Sequence, residues 1–474
     1  MLKITKKKIV VTLVSILILC LSIAVLAIMH SRRRYNQTKP NVIILLIDTL
    51  RKDHMSLYGY HRTTTPYLDK FAQDAQVFQN AITSCSWTSP AVASLFTGLY
   101  PSTHGCVSFS SEGKEKIVDI LDDRLVTFAE ILKKNGYLTG AFVASPWICK
   151  RLQFDAGFDV FDPIAQKFKP RAHEVNRKAL EWISQNRDNP FFVYLHYMDV
   201  HGPYRPPEPY DRFFSSDNVR SMSREETERL HYLSDGREKD KNDLNYYIDR
   251  YDGEIRYCDH HIGKFIDRLN DYGLLENSIV VITADHGEAF FDHGFCDHGW
   301  SLYNEEIDIP LIIKFPETKI PSHIDRSKVE LVDIYSSILP HVNCKLPYKT
   351  DGKNLFKRSG YKQGDSRAVF SEEPSNKMLG PPKIAMMFDE FKAIYMVNKR
   401  KVTELYDLKK DYPENNNLVN IFKETNQEFE QKIMSWQKER QKQRKKLKLG
   451  ALSVSFQDAN EIERLESLGY IRKK

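Results

Sequence analysis

The chain has 474 residues, of which 41% are hydrophobic and 28% charged, a globular composition that excludes a disordered or multi-span membrane protein. That length exceeds what one hydrophobic core usually holds, so a large domain and a smaller one are expected. Eight of the Lys and Arg residues lie within residues 1–39, and subtracting them from the formal charge of +6 leaves about −2 for the remainder, which argues against a nucleic-acid partner.

In chain order, residues 9–29 come first, a run of 21 without a charge, interrupted only by Thr12, Ser15 and Ser22. As a helix it would rise about 30 Å, enough to cross the hydrocarbon core of a bilayer. It is longer than the apolar part of a cleaved signal peptide, and Arg32, Arg33 and Arg34 follow at once. The expectation is an uncleaved transmembrane signal anchor between a basic segment, 1–8, and a linker, 30–39. Basic residues flank both ends, so charge leaves the orientation open. The six cysteines beyond the run show no metal-ligand spacing, and their pairing does not follow from sequence.

Residues 41–47, NVIILLI, are an apolar run too short for a typical helix and typical of a strand buried on both faces. Similar runs at 137–143, 191–196, 278–283 and 309–313 alternate with helical periodicity at 126–134 and 180–185. They predict an α/β domain over 40–345, with a large, mostly parallel central sheet flanked by helices. Residues 208–245 are polar and read as an excursion at the rim, shaping a substrate pocket. An amphipathic helix is predicted over 246–272. A smaller C-terminal α+β unit, 346–474, is expected to hold strands at 368–372, 384–388, 391–397 and 402–408, then a helix over 417–446. The Lys/Arg-rich stretch 438–448 reads as a solvated helix face.

Ligands of open α/β sheets bind beyond the carboxyl ends of the strands. Asp48 follows the first run, His201 lies just past 191–196, and Asp285 and His286 follow 278–283. One Asp at such a place is often only a cap or turn residue, but three ends carrying reactive groups mark a site. The segment SWTSPAVASLFTG, 86–98, reads as a short helix with Pro90 in its first position, Ser89 or Thr88 as N-cap, and Gly98 closing it. Thr88 is then either a cap or a hydroxyl placed where a helix terminus favours an anion. The residues alone leave both readings open.

Ten segments, among them NVIILLIDTLRKDH, WTSPAVASLFTGLYPSTHG, YLHYMDVHGPYRPP, ITADHGEAFFDHG, HGWSLYNEEIDIPLII, ELYDLKKDYPENNNL and ERLESLGYI, follow a familiar order and spacing. In them the chain resembles the sulfatase family of the alkaline phosphatase superfamily, in a membrane-anchored bacterial branch. The resemblance implies that Asp48, Thr88, Asp285 and His286 ligate a divalent cation, and that Thr88 attacks the sulfur or phosphorus of an ester to form a covalent intermediate. It further implies that His201 and His298 face the substrate oxygens or the leaving group, or ligate a second cation. A single-pass protein of the cell membrane, with its catalytic domain outside the cytoplasm, would follow.

The chain also departs from that pattern. Sulfatases resemble Cys-x-Pro-Ser-x-Arg at the nucleophile, where Cys or Ser becomes formylglycine; here Thr88, which cannot become an aldehyde, precedes Pro90, and Val92 stands in the place of the Arg. Residues 141–146, AFVASP, replace a Gly-Lys-x-His segment, and Thr49 replaces the second Asp of a pair. Three readings follow. The first is a metal-dependent hydrolase of sulfate or phosphate esters. The second is a phosphoethanolamine- or phosphoglycerol-type phosphotransferase, or a phosphodiesterase, acting on envelope lipids or polymers. The third is a non-catalytic sulfatase-fold binding protein. A histidine among the ligands shifts the expected cation from calcium toward zinc or manganese.

Overall fold

The computed structural model describes residues 39–107, 109–112, 115–164, 169–215, 241–316, 323–356, 367–374 and 381–456. The anchor expected at 9–29, residues 216–240 of the rim and the ERLESLGYI segment lie outside them. Among the described residues no helix is long and apolar enough to cross a membrane.

Eight strands make the central sheet: β1 (Asn41–Ile47), β2 (Gln76–Ile82), β3 (Leu138–Val143), β4 (Val160–Asp162), β5 (Phe191–Tyr197), β6 (Ser278–Thr283), β7 (Asp308–Lys314) and β8 (His323–Glu330). Their order is β8-β2-β7-β6-β1-β5-β3-β4. Five of the neighbouring pairs are parallel, and β7 alone runs against both of its neighbours, β2 and β6. β1, β5, β6 and β7 are buried along their whole length, which is why they read as unbroken apolar runs. The sequence reading missed β2, β4 and β8. β2 mixes Gln and Asn with apolar residues, whereas β4 has three residues and β8 is mostly polar, as strands at the two edges of a sheet can be.

Helix α1 (Thr88–Thr97) corrects the expected cap: its N-cap is Trp87, with no side-chain cap bond, so Thr88 is already helical and neither it nor Ser89 caps. Pro90 is tolerated because the first turn needs no N–H partner. Helix α2 (Lys241–Asp271) starts five residues before its predicted start. It buries Tyr247, Tyr251, Ile255, Ile262, Ile266 and Leu269 on one face.

The C-terminal unit is a four-stranded antiparallel sheet, β9 (Val369–Glu373), β10 (Lys383–Phe388), β11 (Phe391–Met396) and β12 (Lys401–Asp407), covered by α3 (Lys423–Lys446). α3 begins later than expected because the Asn417 side chain is spent on the N–H groups of Leu405 and Val419. Phe429, Ile433 and Trp436 recur at helical spacing and are buried against this sheet. Trp436 stacks on Phe370 at 4.5 Å. The stretch 438–448 is not solvated throughout: Arg440 is buried and pairs with Asp351.

Candidate active site

Because β1, β5 and β6 are parallel neighbours, their carboxyl ends deliver Asp48, the 198–201 turn and Asp285-His286 to one place. β2 runs in the same sense, and the segment after it leads into α1, so Thr88 arrives there too. All four residues are fully buried. Thr88 Oγ1 lies 3.2 Å from His286 Nε2. His286 Nδ1 donates to the Gly287 carbonyl at 2.9 Å, so Nε2 keeps its lone pair and the Thr88 hydroxyl donates to it. Nε2 also lies 3.4 Å from Asp285 Oδ2 and 3.9 Å from Asp48 Oδ1.

Those two carboxylate oxygens have no hydrogen-bond partner among the described residues. The other oxygen of each is occupied: Asp48 Oδ2 faces His196 Nε2 at 2.9 Å, and Asp285 Oδ1 accepts from the backbone N–H groups of His286 at 3.0 Å and Thr49 at 3.3 Å. An unsatisfied buried polar group costs on the order of 1–3 kcal/mol, more when charged. Two such oxygens converging on a histidine lone pair fit a divalent cation, and ligand atoms of Asp48, Asp285 and His286 lie within 4.8 Å of one another.

Burial pushes the Asp48 carboxyl up to about 7, with the His298 charge pulling against it. Burial, and then the charge of Asp48, push Asp285 up to about 8. Burial and the neighbouring His298 charge hold His286 well below its ordinary value, so it is neutral. For His298 burial opposes the proton, but the carboxylates of Asp297 and Glu288 prevail and keep it charged.

His298 Nδ1 lies 2.8 Å from Asp297 Oδ1 and 3.0 Å from Glu288 Oε1. Its ring sits 4.4 Å from that of His286 and 5.1 Å from that of His201. His201 Nδ1 donates to the Gly202 carbonyl. The structure thus brings together every residue assigned from sequence: an inner group of Asp48, Thr88, Asp285 and His286, and His298 and His201 leading outward from it. Glu288, Asp297 and His298 form a second acidic and histidine group within 4.8 Å.

Several contributors were missed. His196 ends the apolar run 191–196, and its only signal was a histidine at a buried strand position. Lys169 donates to the carbonyls of Asp199 and His201, both at 2.6 Å, and holds that turn; burial brings its ammonium down to about 8. Tyr251 on α2 donates to the Thr49 carbonyl and accepts from the Arg51 N–H. It thereby clamps Thr49, whose φ of 55° is unusual for a β-branched residue.

Comparison with known proteins identifies the family. The sulfatase family model matches residues 40–344, and a second model, for the C-terminal part of N-sulphoglucosamine sulphohydrolase, matches 291–444. An arylsulfatase of Clostridium perfringens is 23% identical, over 81% of this chain and 90% of its own. A multifunctional alkaline phosphatase superfamily protein of Trinickia caryophylli is 24% identical, over 84% and 95%. The crystal structure of the phosphonate monoester hydrolase of Agrobacterium radiobacter superposes with a TM-score of 0.67 at 19% identity, covering 85% of this chain and 96% of that one. The family-model match spans well over half of the chain, beginning just before β1 and taking in Asp48, Thr88, His201, Asp285, His286 and His298, and the chain belongs to the sulfatase family of ester hydrolases.

Proposed function

We propose that this protein is a metal-dependent hydrolase of sulfate or phosphate esters, held at the membrane by residues 9–29, with Thr88 as its nucleophile. The observation that carries the reading is the placement of the Thr88 hydroxyl 3.2 Å from His286 Nε2, beside two unpartnered carboxylate oxygens. Asp48, Asp285, His286 and Thr88 would hold one divalent cation, with zinc or manganese suited to this donor set. When bound, it lowers the pKa of the hydroxyl and offsets the charge of the anionic ester. Thr88 attacks the sulfur or phosphorus in line. His298, charged and one ring away from His286, supplies positive charge and a proton toward the leaving group; with Val92 in α1, no arginine on that helix contributes. His201 flanks the same opening. A second cation at Glu288, Asp297 and His298 would displace the His298 proton and is the less economical arrangement.

A threonine ester has no second hydroxyl through which to collapse to an aldehyde, so water must cleave it directly, or another acceptor must take the group. Thr88 together with Val92 therefore keeps a phosphodiesterase or phosphotransferase within the reading. The relatives named above include an arylsulfatase and a phosphonate monoester hydrolase, so both ester classes belong in the test. The full chain, its bound metal quantified, is assayed on an aryl sulfate, a phosphate monoester and a phosphodiester beside Thr88→Ala. Loss of at least about 10³-fold in kcat/KM on one of them is expected. A Thr88→Ala enzyme as active as wild type would end the assignment, and inactivity on all esters with no metal bound would favour a binding protein.

A further inference from the structure

Asp48 is one of two carboxylates that would hold the cation, and what aims it is not on its own strand. β1 and β5 are parallel with Leu46 opposite His196, and the Asp48 N–H donates to the Tyr197 carbonyl. This register puts the His196 ring beside the Asp48 carboxylate, with Nε2 2.9 Å from Oδ2. On its other side, Nδ1 lies 2.8 Å from the Tyr194 hydroxyl, two residues back on the same face of β5. Tyr194, His196 and Asp48 are all completely buried.

The direction of the two bonds follows from their ends. A carboxylate can only accept, so His196 donates from Nε2; Nδ1 then carries the lone pair, and the Tyr194 hydroxyl donates into it. One tautomer and one ring orientation satisfy both bonds. Tyr194 is fixed in turn, its ring in edge contact with Phe96 of α1 at 4.9 Å between centroids. The result is that Oδ2 of Asp48 is engaged while Oδ1 is left unpartnered. Oδ1 is the oxygen that faces His286 Nε2.

We propose that the Tyr194–His196 pair is a positioning relay for the metal ligand Asp48, setting which carboxylate oxygen meets the cation and holding it there. Outer hydrogen bonds of this kind orient ligands in metal sites, and their loss costs about 10–100-fold in metal affinity. The proposal rests on the cation reading above and deepens it. Neither His196 nor Tyr194 touches substrate; they act through Asp48.

Zinc is titrated into the chelator-treated full chain in competition with a chromophoric chelator, for wild type, Asp48→Asn, His196→Phe, His196→Gln and Tyr194→Phe. Thermal unfolding of each metal-free form is recorded alongside. His196→Phe is expected to weaken zinc binding by about 10–100-fold. His196→Gln, which keeps an N–H donor, recovers part of the loss, and Tyr194→Phe loses about threefold or more. A purely structural role would lower metal-free stability and leave the zinc Kd unchanged. Wild-type zinc affinity in both His196→Phe and Tyr194→Phe, with Asp48→Asn impaired, overturns the relay while the metal site stands. If His196→Phe does not fold, Tyr194→Phe decides alone by the same criterion. Absence of zinc binding by wild type, or full binding by Asp48→Asn, removes the cation reading and the relay with it.

Discussion

Two carboxyls with raised pKa values a few ångströms apart make cation binding and proton release one process. Burial, against the pull of the His298 charge, holds Asp48 at about 7, and burial together with the charge of Asp48 holds Asp285 at about 8, so the metal-free fold keeps both protons at mildly acidic pH. A cation must expel them, and its affinity therefore rises with pH and levels off above about 8. The metal-free protein behaves oppositely. Its folded carboxyls bind protons that the unfolded chain releases near its ordinary value of 3.8, so these two groups lower its stability as pH rises from about 4 to 8. Zinc titrations over about pH 6 to 9, with unfolding of the chelated protein, check both slopes; a flat affinity profile would contradict the assignment. At this scale Asp48, Thr88, Asp285 and His286 were legible because strand ends and family motifs frame them. His196 was not, since a histidine inside an apolar strand shows its role only once the register sets it against Asp48.

Among the elements, α1 matters most to the chemistry, and its end is as constrained as its start. Gly98 closes the helix at φ 68°, and a Cβ there would meet Tyr335 Cδ1 at 2.7 Å and Thr350 Cγ2 at 3.1 Å. Gly98→Ala is expected to lose about 1–3 kcal/mol through strain and overpacking, seen as a lowered Tm and, through displacement of Thr88, as a reduced kcat. An unchanged Tm would show that the helix end can yield. Gly98 as the terminator was readable from sequence, whereas the true start of the helix was not. The pattern of Pro after Ser and Thr suggested a cap, but the Thr88 hydroxyl is spent on His286, a residue 198 positions away. The same division holds for the strands. The inner strands that are apolar on both faces announce themselves, whereas β2, inner but broken by Gln and Asn, and β4 and β8 at the edges leave little periodic signal.

Over the whole molecule, the smaller C-terminal unit is built onto the segment that carries Thr88. The Gly98 carbonyl accepts from the Asp351 N–H at 2.8 Å, and the Ser84 carbonyl accepts from the Glu372 N–H at 2.9 Å. Arg440 of α3 pairs with the same Asp351. Tyr100, three residues past the end of α1, packs edge-on against Trp436 at 5.0 Å and belongs to the apolar cluster of the C-terminal unit. Apolar packing and backbone bonds both cross the boundary, so the two units are expected to unfold together. Trp436→Ala removes the largest shared side chain and should cost about 3–5 kcal/mol. Calorimetry of the variant should show one transition, shifted down, with kcat/KM near wild type at temperatures where the protein is still folded, because Trp436 lies outside the site. A separate early transition for residues 367–446, with the catalytic unit melting at its original temperature, would mean that these contacts dock two independent bodies and that the end of α1 is held by its own domain alone.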